Sequence, residues 1–373
     1  MLNYFQAQAL RANHYSAVMA TFFDALGLSA PIIQAPMAGV QNHRLAAAVC
    51  QAGGLGSLPA AMLGPDALQS ELTALRALTD RPFNVNFFCH TPPVPDAERE
   101  ARWQQALAPY YLELGLDLSA IPAGPGRVPF NAEAAEVLAP FRPAVVSFHF
   151  GLPSPELIAQ VKRWGSLVLS SATTVAEALW LQAHGADAVI AQGLEAGGHR
   201  GMFLSDDLST QVGTLALLPQ IVQAVSVPVI AAGGIADAAG IAATRALGAS
   251  GVQIGTGYLC SEEATTSALH RAALQSEAAQ LTALTTVFTG RPARGIVNRL
   301  MHELGPLPAE APAFPLATAA VAPLRAAAEA RQCSDFTPLW AGQNASGLQQ
   351  GSATDITRAW ATAWHAAGKE KAT

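Results

Sequence analysis

The chain has 373 residues, 51% of them hydrophobic and 13% charged, with a formal net charge of −6 and a pI near 5.8. That is apolar material for one large core, or for one core and a small second lobe. A mildly acidic surface argues against nucleic-acid phosphates and anionic membranes as partners, and no run of about eighteen or more apolar residues marks a membrane span.

Residues 1–18 carry Arg11 but no clear hydrophobic stretch with a cleavage site, so they read as a peripheral extension, with Met19 as an alternative start. From residue 31 onward, short β-rich apolar runs alternate with longer helical patterns. The runs fall at 31–35, 54–58, 83–88, 144–149, 166–170, 187–191, 227–231 and 250–254. They are nearly continuous in apolar residues, as strands covered by helices on both faces are. Helical spacing predicts helices over 43–52 (Leu45, Ala48 and Val49 on one face), 153–164 (Ile158, Val161, Trp164) and 174–184 (Val175, Leu179, Leu181). A further helix over 237–247 opens at Asp237, a good N-cap, and stops at Gly248.

Eight strands alternating with helices favour a closed (β/α)8 barrel of the α/β class over an open doubly wound sheet. The barrel domain is expected over 19–256. Residues 92–143 break the alternation as a long insertion, with a helix from Glu98 to Leu114 and a Pro/Gly-rich turn at 122–129. Residues 257–345 are expected to form a small, mostly helical lobe over the C-terminal mouth, and 346–373 a tail whose helix at about 354–367 packs back on the barrel. The four cysteines, Cys50, Cys89, Cys260 and Cys333, lack CxxC spacing and read as reduced thiols. With no secretion signal, they point to the cytoplasm.

In a parallel barrel, function sits at the carboxyl ends of the strands. After the seventh run come Gly233 and Gly234, then the helix capped by Asp237; after the eighth come Gly255, Thr256 and Gly257. Glycines bring backbone N–H groups close to an anion, and a helix N-terminus adds a positive dipole end. That is a phosphate site; plain turn chemistry is the alternative. The sixth run leads through Gln192 into GLEAGGHRG at 193–201, with four glycines in nine residues. Such a loop admits a flat ring against the backbone and presents His199 at the mouth as a candidate catalytic group. His149, between Phe148 and Phe150 at the fourth strand end, is either a substrate-site residue or a packed histidine. Pro36, Met37 and Ala38 after the first strand would let a ring lie against them. Asn86 and Gln192 each offer an amide that donates and accepts at once.

Four segments together, QAPMAG at 34–39, SFHFGLP at 147–153, GLEAGGHRG at 193–201 and AAGGIADAAGIAATRALGASGVQIGT at 231–256, resemble the nitronate monooxygenase family, formerly called 2-nitropropane dioxygenases. The set is most similar to the family's bacterial four-motif class. The resemblance implies non-covalent FMN in a TIM barrel with a small helical lobe, and His199 as the catalytic base. It places Pro36, Met37 and Ala38 beside the flavin ring and Asn86 and Gln192 in hydrogen bonds to it. Gly197 or Gly198, Gly234, and Gln253, Ile254, Gly255 and Thr256 would hold the ribityl chain and phosphate, with His149 and His199 facing the substrate.

The implied reaction oxidises an alkyl nitronate, or a nitroalkane after deprotonation, with O2 to a carbonyl compound and nitrite. Its partners are a small nitro compound and O2, with no nucleic acid, no membrane and no metal. TGRPARG at 289–295 and WAGQ at 340–343 also resemble the family. Arg291 and Arg294 either steer an anion or, the favoured reading, pair with surface carboxylates; Tyr258 lies near the mouth. The nearest alternative is an FMN-dependent NAD(P)H enoyl-thioester or quinone reductase, although no GxGxxG follows an early strand. A non-redox phosphate-binding lyase or isomerase barrel would use the same glycine loops without flavin.

Overall fold

The structure is a computed structural model that describes residues 22–121 and 126–369. The extension 1–18, Met19 and part of the Pro/Gly-rich turn therefore lie outside the described residues.

The eight parallel strands are β1 (Ile32–Gln34), β2 (Gly56–Pro59), β3 (Phe83–Phe88), β4 (Val145–His149), β5 (Leu167–Ala172), β6 (Ala188–Gln192), β8 (Val229–Ala232) and β9 (Gly251–Ile254). A two-residue strand, β7 (Gly198–His199), belongs to a second sheet. The large sheet runs β1-β9-β8-β6-β5-β4-β3-β2. It closes on itself: Leu55 N donates to Ile32 O at 2.9 Å, and Gln34 N to Leu55 O at 3.0 Å. Every expected strand is present, each end within two residues of its expected place.

Alternation along each strand sorts the side chains into two layers. Ile33, Leu55, Leu169, Ile190 and Ile230 point inward and share a core with Phe22 and Phe23, which plug the N-terminal end. Ile32, Val189, Ala231 and Val252 point outward onto the helices. Those helices are α1 (His43–Gln51), α2 (Pro65–Leu78), α3 (Ala97–Leu114), α4 (Ala132–Leu138), α5 (Pro155–Arg163), α6 (Val175–Ala183), α7 (Thr214–Ala224) and α8 (Ala238–Ala246). Asp237 caps α8 as expected, its Oδ1 accepting from Gly240 N at 2.8 Å. One expectation fails in α6. Leu179 is 44% exposed, and the helix buries Glu177, Ala178 and Leu181 instead. Leu179 stands about 200° around the helix from Leu181, so the two cannot share a face. The Glu177 carboxylate is satisfied indoors by Thr173 N and Oγ1, both at 2.7 Å.

Beyond the barrel lie α9 (Ala268–Leu274), β10 (Thr282–Thr285), β11 (Ala293–Ile296), α10 (Arg299–Leu304), α11 (Thr318–Ala330) and α12 (Ala353–Lys369). Trp103, Leu107 and Tyr111 of α3 share an apolar core with Leu300, Val321 and Leu324 of the later segment. Tyr111 also donates to Ala320 O at 2.6 Å. The lobe is thus built from two distant stretches of chain. It also carries an antiparallel sheet, β10-β11-β7, in which His199 lies opposite Ala293 and Gly198 opposite Arg294. α12 returns to the barrel and buries Ile356, Trp360 and Trp364, each worth roughly 1.5–3 kcal/mol of apolar burial. Among the described residues no helix is long and apolar enough to cross a membrane, no group of side chains is set to hold a metal, and all four cysteines are free thiols.

Candidate active site

A cavity opens at the carboxyl ends of the strands, roofed by the lobe. Pro36, Met37, Ala38, Asn86, His149, Gln192, Gly197, Gly198, His199, Gly234, Gln253, Gly255 and Thr256 all line it. Ile254 does not, which corrects the expectation for that residue. It is 1% exposed and packs outward among the barrel helices. Gln253 and Ile254 alternate across the sheet, so only Gln253 can face inward.

One end of the cavity is made of backbone. Gly233 and Gly234 have φ of +109° and +72°, a conformation side chains resist. The N–H groups of Gly234, Gly255 and Thr256 have no protein acceptor among the described residues. Thr256 opens a short 3₁₀ turn, Thr256–Tyr258, so its N–H lacks an intrahelical partner by geometry. Its hydroxyl accepts from Gly342 N at 2.9 Å. Gly234, Gly255 and Thr256 all line the cavity, so three unpaired backbone donors border it, and such a cradle suits an anion.

The flat wall beside it is held by a buried amide network. Met37 N donates to Gln41 Oε1 at 2.8 Å, and Gln41 Nε2 to Ser57 O at 2.6 Å. Asn86 gives its Nδ2 to Ser147 Oγ at 3.0 Å, leaving its Oδ1 without a protein partner. A Cβ on Gly197 would stand 2.6 Å from Gly342 N, so the WAGQ segment lies directly on the glycine loop. Gln343 N ties the two together through Glu195 O at 2.9 Å.

The other end is built of side chains. The His199 carbonyl accepts from Gln192 Nε2 at 3.0 Å and lies 3.1 Å from His149 Nε2. Gln192 Oε1 accepts from Gly201 N at 2.7 Å, and His149 Nδ1 is 3.1 Å from Ser171 Oγ. A carbonyl only accepts, so His149 is the Nε2–H tautomer and its Nδ1 takes the serine proton. Gln192 and His149 line the cavity, yet their polar atoms brace the loop. Arg200 completes the brace, fully buried, donating to Gln211 Oε1, Gly193 O and Gln192 O at 2.7–2.9 Å.

The His199 ring is enclosed by Phe88, Phe150, Phe314 and Trp340, with centroids 5.4–6.1 Å away. Burial, reinforced by the cationic Arg127, holds its pKa well below the ordinary imidazole range. Burial likewise pushes His149 down to about 4. Both rings are neutral at pH 7. The Arg127 guanidinium lies 5.2 Å from the Phe314 centroid and has no carboxylate partner among the described residues.

Arg291 and Arg294 depart from the favoured surface-pair reading, because both donate to backbone. Arg291 Nη2 bonds Met202 O and its guanidinium lies 4.1 Å from the Phe150 centroid; Arg294 Nε bonds Leu194 O at 3.0 Å. They stitch TGRPARG to the glycine loop. Tyr258 is buried away from the mouth, bonded to Thr357 Oγ1 at 2.7 Å. Phe88, Arg127 and Trp340 line the cavity, and Phe150 and Phe314 pack against the His199 ring, without having been expected there from the sequence.

The sequence pattern described as nitronate monooxygenase matches residues 20–359. The chain belongs to the nitronate monooxygenase family. A nitronate monooxygenase of Paraburkholderia phytofirmans is 45% identical over 328 residues, covering 86% of this chain and 88% of its own. One from Pseudomonas aeruginosa is 42% identical over 342 residues, covering 90% and 97%. Among solved structures, a nitroalkane oxidase from Streptomyces ansochromogenes superposes with a TM-score of 0.85 at 40% identity, covering 95% of this chain and 99% of that one. FabK from Thermotoga maritima superposes at 0.67 with 26% identity, covering 94% and 97%.

Nitronate monooxygenases are flavin-dependent, and the residues here fit such a group. The unpaired amides of Gly234, Gly255 and Thr256 suit its phosphate. The Pro36–Ala38 wall suits its ring, and open space stands where Gly198 would carry a Cβ.

Proposed function

We propose that this nitronate monooxygenase uses FMN and O2 to oxidise alkyl nitronates, and nitroalkanes after deprotonation, to carbonyl compounds and nitrite. The reading is carried by one juxtaposition: a neutral imidazole, His199, faces an aromatic-walled space at one end of a cavity whose other end offers unpaired backbone donors. When bound, FMN would supply the electron acceptor for the substrate and the route of its electrons to O2.

The protein's own part is position and charge. Gly234, Gly255 and Thr256 would anchor the phosphate, at roughly 1.5–3 kcal/mol for each hydrogen bond to a charged group. Asn86 Oδ1 would meet the ring edge, and Gln253 the ribityl chain. Phe88 and Trp340 on the cavity wall exclude water from the small carbon acid. His199 takes the acidic Cα proton of a nitroalkane, and the resulting imidazolium and Arg127 stabilise the nitronate anion. A nitronate arrives already deprotonated, so His199 acts on it only as a neighbour. The test is a mass spectrum of the flavin released on denaturation, together with oxygen uptake on nitroethane, ethylnitronate and propionate 3-nitronate. FMN and nitrite release support the reading; a colourless protein, or a flavin without phosphate, would overturn it.

A further inference from the structure

We infer that Thr289 fixes the tautomer of His199 and so makes Nδ1 the proton-accepting atom. The inference rests on His199 being the base. His199 Nε2 lies 2.9 Å from Thr289 Oγ1, and that hydroxyl in turn donates to the Arg291 carbonyl at 3.4 Å. A hydroxyl has one proton, and a carbonyl oxygen can only accept. With the threonine proton on Arg291 O, its oxygen receives Nε2–H, and the lone pair of the neutral ring is on Nδ1. Nδ1 has no protein partner among the described residues and is not one of the buried unpartnered atoms. It is therefore the ring nitrogen free to meet a substrate. In the reverse arrangement Thr289 would donate to Nε2, and Nδ1–H would confront the Cα–H bond with nothing to accept its proton.

The surroundings hold both partners still. Gly290 N donates to Thr286 O at 2.8 Å, and a Cβ on Gly290 would stand 1.9 Å from Pro312 O, so the turn carrying Thr289 sits tightly against its neighbour. The His199 backbone is pinned through its carbonyl and through the β7–β11 pairing. In the step, the Cα proton moves to Nδ1, the C–H electron pair delocalises into the nitro group, and the Nε2 proton stays on Nε2, hydrogen-bonded to Thr289 Oγ1. Thr289 is thus a positioning residue, and this assigns a role to the first residue of TGRPARG.

The test combines kinetics with nitrogen-15 spectroscopy of histidine-labelled holoprotein. Wild type at neutral pH should show His199 protonated at Nε2 alone. Thr289→Val should mix the two tautomers and lower the nitroalkane-to-nitronate ratio of kcat/KM about tenfold, and Thr289→Ser should restore both. A wild-type spectrum with the proton on Nδ1, or an unchanged ratio in Thr289→Val, would overturn the inference. The wild-type spectrum decides the tautomer even if Thr289→Val does not accumulate. Equal loss of both substrates in His199→Asn would instead bring down the base reading itself.

Discussion

The two ends of the cavity are made of different material. The cradle after β8 and β9 works through main-chain N–H groups shaped by glycine and by a helix start, and nearly any side chain there would be an obstruction. The opposite end works through side chains: Phe88, Trp340, Arg127 and His199 line it, and Phe150 and Phe314 pack against the imidazole, contributed by strand ends, by the long insertion and by the lobe. A backbone site recognises a charge common to many ligands, whereas a side-chain site can be retuned residue by residue. On the proposed assignment, the contrast separates cofactor retention from substrate choice, and mutations should divide accordingly.

The sharpest way to break that division is His199→Asn. We expect nitroalkane kcat/KM to drop by about a thousandfold, the scale of a lost general base, while nitronate kcat/KM changes far less and flavin content stays intact. Oxygen uptake and the visible spectrum of the same preparation measure all three. At the other end, Gly234→Val forces a side chain to φ +72° beside Glu195 Cβ. The flavin dissociation constant should rise about a hundredfold, from loss of a phosphate hydrogen bond worth roughly 1.5–3 kcal/mol. Fluorescence of released flavin reads this; unchanged retention would show that the phosphate sits elsewhere. Arg127→Met should raise KM for an anionic nitronate about tenfold and leave that for a neutral nitroalkane nearly untouched. A uniform effect on both would make Arg127 merely structural.

A separate set of expected effects is on pH. His149 and His270 are each pushed down to about 4 by burial, and His199 well below 6.5. Unfolded histidines take up protons near 6.5 while the native ones remain neutral. Stability is therefore full above pH 6.5 and is lost as pH falls from there towards 4, by about 3 kcal/mol for each of His149 and His270 once fully shifted, with His199 acting in the same direction. Thermal melts of the holoprotein across that window measure it. The acid limb of nitroalkane kcat/KM should likewise lie below pH 6.5; a limb at or above 6.5 would contradict the burial argument.

How much of this was readable in advance follows the same contrast. Barrel strands announce themselves because burial on both faces forces short apolar runs, and Asp237 and the glycine pairs announce themselves because few residues tolerate those backbone positions. The misreadings have local causes. Ile254 follows Gln253 in one motif, yet alternation along β9 sends them to opposite faces, and Leu179 shares an apolar pattern with Leu181 that helical geometry splits between two faces. Phe314 and Arg127 carry no periodic signal and stand nearly 190 residues apart, so only the folded lobe brings them together. Arg291 and Arg294 looked like surface charges because backbone carbonyls, their true partners, leave no trace in a sequence.

The pairing of Gly198 and His199 with Ala293 and Arg294 has a consequence for engineering. The imidazole is anchored to a segment encoded almost a hundred residues downstream of it. A chimaera that grafts the lobe of one relative onto the barrel of another would hand the foreign ribbon control of where the imidazole sits. Such grafts should fail in proton abstraction before they fail to fold, unless residues 193–201 and 289–296 are moved together.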